Sequence, residues 1–143
     1  MSMKIVIDTN VFVSALMNAD GAPRQLIRLC LQGHLLPLIG NTLFAEYEDV
    51  CGRDDLFDDR LISKDERTEL LDAFLSSCLW IPIYYLWRPN LRDEADNHLI
   101  ELAVGGGATA LITANKRDFI RPELLFPQLQ ILTAGEFLAK RRV

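Results

Sequence analysis

The sequence predicts an α/β fold, a three-layer sandwich around a central, mainly parallel sheet of about five strands. Three observations predict it. Short apolar, β-branched runs recur along the chain, and segments with apolar residues at helical spacing lie between them. The first run, Met3–Ile7 (MKIVI), stops abruptly at Asp8-Thr9-Asn10, the pattern of a strand buried on both faces of a parallel sheet. The 143 residues, 50% hydrophobic and 24% charged, suffice for one core, and no repeat, linker or low-complexity stretch divides them. A single domain over residues 1–143 is expected.

Taken in order, the second strand is Leu35–Ile39 (LLPLI), closed by Gly40, with Pro37 arguing for an edge or a bulge. Trp80–Leu86 (WIPIYYL) is the third, Thr109–Thr113 the fourth and Leu129–Leu132 the fifth. Pro23 suits the first turn of a helix through Leu26, Ile27, Leu29, Cys30 and Leu31. Asn41 or Thr42 suits the cap of a helix carrying Leu43, Phe44, Tyr47 and Val50. Ser63-Lys64-Asp65-Glu66 has the form of a capping box ahead of Leu70, Leu71, Phe74 and Leu75. Asp96–Val104 puts Leu99, Ile100, Leu102 and Ala103 on one face, and Gly105-Gly106-Gly107 is expected to stop it. Thr133 leads a final helix through Phe137 and Leu138, ending in Lys140-Arg141-Arg142. Asp54–Asp59 (DDLFDD) reads as a solvated loop between helices.

Fifteen Lys+Arg against 20 Asp+Glu give a net charge of −5. That balance argues against coating nucleic acid by bulk charge, although local basic patches remain open. Three cysteines without CxxC spacing read as reduced, mostly buried thiols, and zinc or a disulfide framework is not expected. No run approaches the roughly 18 apolar residues of a membrane span, and Met1–Ile7 has no signal-peptide pattern. The expectation is a soluble, cytoplasmic protein.

Ligands of an open parallel sheet bind outside the carboxyl ends of its strands. Asp8 and Asn10 follow the first strand, and Glu46 lies early in the helix after the second. Asp93 and Asp96 open the helix after the third, and Asn115 and Asp118 follow the fourth. Four connections thus aim acids or amides at one edge. Gathered like charges repel, and a divalent cation such as Mg²⁺ or Mn²⁺, which takes oxygen ligands, would neutralise them. Neither histidine falls at these positions, which disfavours zinc. Each residue has a plainer reading: Asp8 as a helix cap, Glu46 as an exposed helical acid, one of Asp93 and Asp96 as a cap. Asn115 suits a turn and Asp118 a helix start; only the joint pattern argues for a site. His98 reads as a neighbour that tunes the site or as a solvent-facing residue, and His34 as structural. Arg24 and Arg28, four apart, together with Lys116, Arg117 and Arg121, are candidate phosphate contacts, set against solvated helix faces.

Asp8-Thr9-Asn10 after KIVI, Glu46 within LFAEYEDV, Asp96 opening DNHLIELA, and TANKRDF from Thr113 to Phe119 together resemble the PIN-domain ribonucleases. Within them the resemblance is to VapC-like toxins of prokaryotic toxin–antitoxin pairs, and it runs from Met3 to about Leu132. It implies a parallel sheet with helices on both sides, and acids holding one or two Mg²⁺ or Mn²⁺ ions that hydrolyse RNA phosphodiesters. It further implies a small antitoxin partner and a homodimer through the surface around Leu26–Leu31 and Phe44–Val50.

Carried over by position, the catalytic set is Asp8, Glu46, Asp93, Asp96, Asn115 and Asp118. Asp8, Glu46 and Asp96 stand as metal ligands, and Asp93 or Asp118 as the group that orients or deprotonates a water. Thr9 and Asn10 match the hydroxyl and amide around the scissile phosphate, with Lys116 and Arg117 as further RNA contacts. Asn115 stands where the family is often acidic, which weakens a second metal position. That departure keeps one alternative open: a PIN-fold binding or dimerisation module with an impaired site.

Overall fold

The computed structural model describes residues 2–82, 97–119 and 128–141. Its elements run β1 (Met3–Ile7), α1 (Thr9–Met17), α2 (Ala22–Leu31), β2 (Leu35–Ile39), α3 (Asn41–Cys51), α4 (Lys64–Ser77), β3 (Leu79–Trp80), α5 (Asn97–Gly106), β4 (Ala110–Ile112), β5 (Gln130–Leu132) and α6 (Ala134–Arg141). The strands form one sheet in the order β3-β2-β1-β4-β5, and every pairing is parallel. This is the predicted α/β architecture.

β1 is central. It pairs with β2 from Met3↔Leu35 to Ile5↔Pro37 and with β4 from Ile5↔Ala110 to Ile7↔Ile112. Ile5, Val6 and Ile7 are wholly buried, which explains a continuous apolar run rather than an alternating one. From β1 the chain walks to β2 and β3 on one side, and α5 then returns it to β4 on the other. With right-handed crossovers this reversal puts α5 on the face opposite α1–α4, and α5 packs on β1, β2 and β4. α2 contacts α1, α4 and α6 in the other helical layer. The reversal also sets a topological switch point between β1 and β4, where such folds bind ligands.

Local chemistry explains the element ends. Ser63 accepts from the Glu66 amide while the Glu66 carboxylate accepts from the Ser63 amide, so the predicted capping box is present. α2 begins with Pro23 in its first turn, as expected.

Several expectations are corrected. Pro37 lies in an interior strand. The Ile81 amide donates to the Ile39 carbonyl, so odd-numbered residues of β2 face β3. The β2–β3 ladder begins only at Leu38↔Leu79, and the donor that Pro37 lacks falls ahead of it. The cap of α3 is Gly40, without a side-chain bond, and neither Asn41 nor Thr42 takes that position. α5 runs through Gly106, and the stop is Gly107, whose φ of +75° suits glycine. Gly106 is small for a different reason, because a Cβ there would meet Leu38 Cδ1 at 2.6 Å.

DDLFDD is more than a solvated loop. Arg67 of α4 is fully buried and donates to the Cys51 carbonyl (3.0 Å) and to Asp54 Oδ1 (2.6 Å). Its guanidinium lies 4.5 Å from the centre of the Phe57 ring. β3 is observed as Leu79–Trp80, and residues 83–86 of the predicted third strand lie outside the described residues. Cys30 and Cys51 are buried free thiols, pushed up to about 12 and about 11 by burial, and so inert.

Candidate active site

Asp8 occupies the cap position of α1 yet makes no side-chain cap bond to it. The residue is 7% exposed, and its carboxylate is held elsewhere. Oδ2 accepts from the hydroxyl of Thr113 at 2.8 Å, and Oδ1 accepts from that of Thr9 at 3.4 Å. Burial is the largest influence on this group and raises its pKa above the ordinary 3.8. The hydrogen bonds from Thr113 and Thr9 oppose that rise, and the charge of Glu46 adds to it. A helix cap would relieve the carboxylate; this one is kept desolvated beside another acid.

The end of β4 is tied to the end of β1 by a short polar chain. Thr113, wholly buried, donates to Asp8 and accepts from the Asn115 amide at 3.1 Å. Asn10 Oδ1 accepts from the Ala114 amide at 3.3 Å, and the Asp8 amide donates to the Ile112 carbonyl at 2.9 Å. Asn115 then caps a short 3₁₀ turn, Lys116–Asp118, without using its side chain as the cap. The Asn115 side chain is exposed at this edge.

On the other side of the switch point the groups ride on helices. Glu46 of α3 lies 3.1 Å (Oε2) from Nε2 of His98 on α5. The pair is partly open, with side-chain exposures of 38% for Glu46 and 17% for His98. Tyr47, the next residue, is wholly buried, and its hydroxyl donates to the Ile7 carbonyl just before Asp8. That carbonyl lies beyond the last registered β1–β2 pair, so Tyr47 supplies a donor where the strands part. Burial pushes the Tyr47 phenol up, and the charges of Asp8 and Glu46 add to that rise.

Thus Asp8, Thr9, Asn10, Glu46 and Asn115 gather at one edge, and His98 proves to be the neighbour of Glu46. Asp118 lies on the 3₁₀ turn, its amide bonded to the Asn115 carbonyl at 3.1 Å; no hydrogen bond or ion pair joins it to Asp8 or Glu46 among the described residues. Asp93 and Asp96 lie outside the described residues, as does Arg121. Arg24 and Arg28 are corrected as phosphate contacts. Arg24 donates to the Ala15 carbonyl at 2.6 Å, in the last turn of α1, and Arg28 to that of Ala19 at 3.2 Å, in the turn that follows. Lys116 pairs with Glu136 at 3.0 Å, while Arg117 is exposed. Sequence reasoning missed the roles of Thr113 and Tyr47. Both read as core-facing residues of apolar segments, and only their hydroxyls, ending beside Asp8, distinguish them.

Asp8, Asn10 and Glu46 offer oxygens at this edge, which suits a hard cation. Among the described residues no group of three or more His, Cys, Asp or Glu encloses a metal, so Asp8 and Glu46 form an open acidic pair.

A buried carboxylate at the switch point of a five-stranded parallel sheet, with a second acid beside it, defines a class: an α/β protein with an acidic site. The PIN domain family matches residues 4–117, and the chain belongs to that family, whose members are generally nucleases. It is 30% identical over 124 residues to the uncharacterized protein MJ1680 of Methanocaldococcus jannaschii, covering 82% of this chain and 74% of that one. The fold is similar to a chain in the crystal structure of VapBC2 from Rickettsia felis bound to a DNA fragment from their promoter. The TM-score is 0.56 at 19% identity, covering 90% of this chain and 97% of that one.

Proposed function

We propose that this chain is a metal-dependent endoribonuclease that hydrolyses RNA phosphodiester bonds, the toxin of a toxin–antitoxin pair. The observation that carries the reading is Asp8. A carboxylate that forgoes its cap, is held by Thr113, and is raised by burial and by Glu46 costs stability unless a cation offsets it.

Asp8 and Glu46 would hold Mg²⁺ or Mn²⁺, with Asp96 as a further ligand. A bound cation supplies charge neutralisation and polarisation of the phosphodiester. The chain's own residues do the rest. Thr113 and Thr9 orient the Asp8 carboxylate, and Asn10 pins the β1 end to the β4 end. Thr9, Asn10 and the exposed Arg117 face RNA, with Lys116 in reach once it leaves Glu136. Asp93 or Asp118 orients the attacking water. The likeness of fold to a VapBC chain supports a small antitoxin partner, and the family supports a cytoplasmic homodimer built from one domain.

One observation favours a second reading. Asn115 offers an amide in place of a carboxylate, which suits a PIN-fold binding or dimerisation module with an impaired site. A cleavage assay on single-stranded RNA with Mg²⁺, Mn²⁺ or EDTA separates the two. Cleavage that requires the metal and stops in EDTA supports the nuclease; none under any condition supports the module.

A further inference from the structure

A cleft of about 420 Å³ opens beside the acidic pair. His98 lines it and also meets Glu46 at 3.1 Å, so cleft and carboxylates share a wall. One side is the first turn of α3, where Asn41 and Thr42 line the cleft. Gly40 caps this helix without a side chain, and the first turn carries no acid. Its leading amides have no acceptor within the helix, because the first such bond runs from the Phe44 amide to the Gly40 carbonyl. Glu101 of α5, 9% exposed, also lines the cleft, and its Oε1 is buried without a hydrogen-bond partner among the described residues. Native structures rarely leave such an oxygen unpaired.

The two walls ask for opposite polarity. An anion would suit the helix N-terminus but meet the Glu101 carboxylate. A cation would suit Glu101 but meet the positive end of α3. A neutral ligand with an acceptor beside donors satisfies both. Among the nucleobases, guanine has that edge: O6 accepts, and N1–H and the 2-amino group donate side by side. Adenine and cytosine each present one amino donor beside ring acceptors, and uracil one N–H between two carbonyls. The cleft is otherwise apolar, with Leu43, Leu102 and Trp80, the last 46% exposed, suited to a flat base.

We infer that this cleft is a guanine subsite for single-stranded RNA next to the scissile phosphate. Glu101 reads N1–H and the 2-amino group, and the first turn of α3 receives O6. The inference rests on the nuclease reading, and its test is built to fail separately.

The test is fluorescence anisotropy of labelled UUGUU, UUAUU, UUCUU and the inosine analogue UUIUU with the full chain in EDTA. UUGUU should bind at least about tenfold more tightly than UUAUU or UUCUU, the lower range for a bidentate pair. UUIUU, lacking the 2-amino group, should fall between. Glu101→Gln keeps the shape and replaces one acceptor oxygen with an amide donor. It should melt no lower than wild type and erase the preference while leaving UUAUU binding unchanged; Glu101→Ala should erase it too. Equal binding of all four RNAs by wild type, or a preference that survives both variants, overturns the subsite. The same RNAs with Mn²⁺ test the other layer. No cleavage of any of them overturns the nuclease reading, while the anisotropy series still decides the subsite.

Discussion

The two halves of the site are built differently. On the β1–β4 side, side-chain bonds join Asp8 to Thr113 and Asn10 to Ala114, more than 100 positions apart, and Thr113 also accepts from the nearby Asn115 amide. On the α3–α5 side, Glu46 from the middle of α3 meets His98 from the first turn of α5, partly open to solvent. Strand ends inside a parallel sheet are fixed by their ladders, so a carboxylate placed there is held rigidly and desolvated. Helix-borne groups keep their solvation and their freedom to adjust. A cation site benefits from one of each: a fixed, strained ligand to set position and an adaptable one to close around the ion.

Breaking the fixed half has the largest expected effect. Asp8→Asn should lower metal-dependent cleavage at least about a hundredfold, the scale expected for losing a metal-binding carboxylate. The same change should stabilise the metal-free chain. Burial holds the Asp8 pKa above 3.8, so the folded state favours the proton. That contribution is fully present below the unfolded value and is lost as pH rises through the folded one. At pH 7 the ionised group opposes folding, and Asn should raise stability by on the order of 1 kcal/mol, a gain that fades in acid. Thermal melts at pH 7 and pH 3.5 check it. A variant that melts lower at pH 7 and still cleaves would make Asp8 a structural cap.

Thr113→Val attacks the same half through its support. It removes the donor to Asp8 and the acceptor of the Asn115 amide inside a wholly buried position, at a cost of about 1–3 kcal/mol. Urea unfolding measures it; a loss under about 0.5 kcal/mol would mean that water replaces the hydroxyl. Asn115→Asp sharpens the comparison from the gain side. A carboxylate at the exposed edge should tighten Mn²⁺ binding at least about threefold by calorimetry, since it adds charge near the ion. An unchanged isotherm would place residue 115 away from the metal. His98→Gln should do least to stability. It loosens a partly exposed pair, and the melt should change by less than about 0.5 kcal/mol.

Much of this was legible in the sequence. The MKIVI run ending at Asp8 announced a doubly buried strand because three successive apolar, β-branched residues, Ile5–Ile7, leave no polar face. The capping box at Ser63 was legible because its chemistry is local, three residues from donor to acceptor. The convergence of Asp8, Glu46 and Asn115 followed from one rule about parallel sheets. The misses share a cause. Pro37 looked like an edge residue because the sequence does not tell which side of a strand lacks a neighbour. Arg24 and Arg28 looked like phosphate contacts because a four-residue spacing gives a shared face, not the carbonyls of Ala15 and Ala19 waiting there. Gly105 and Gly106 looked like a helix stop, although one tight contact with Leu38 needs the second of them inside the helix.

The sequence by itself determined the alternation of strands and helices, apart from α1, and the buried strand β1, and it pointed to Asp8, Glu46 and Asn115 at one edge. These depend on hydrophobic period, on caps and on chain order, all of which act over a few residues. Only the tertiary structure decided that Asp8 bonds to Thr113, that Glu46 finds His98, and that Glu101 is buried along the same cleft as the first turn of α3. Each of those joins residues dozens of positions apart, or more than a hundred, and their meeting depends on the register of the strands and the seating of the helices. Local pattern carries no information about either.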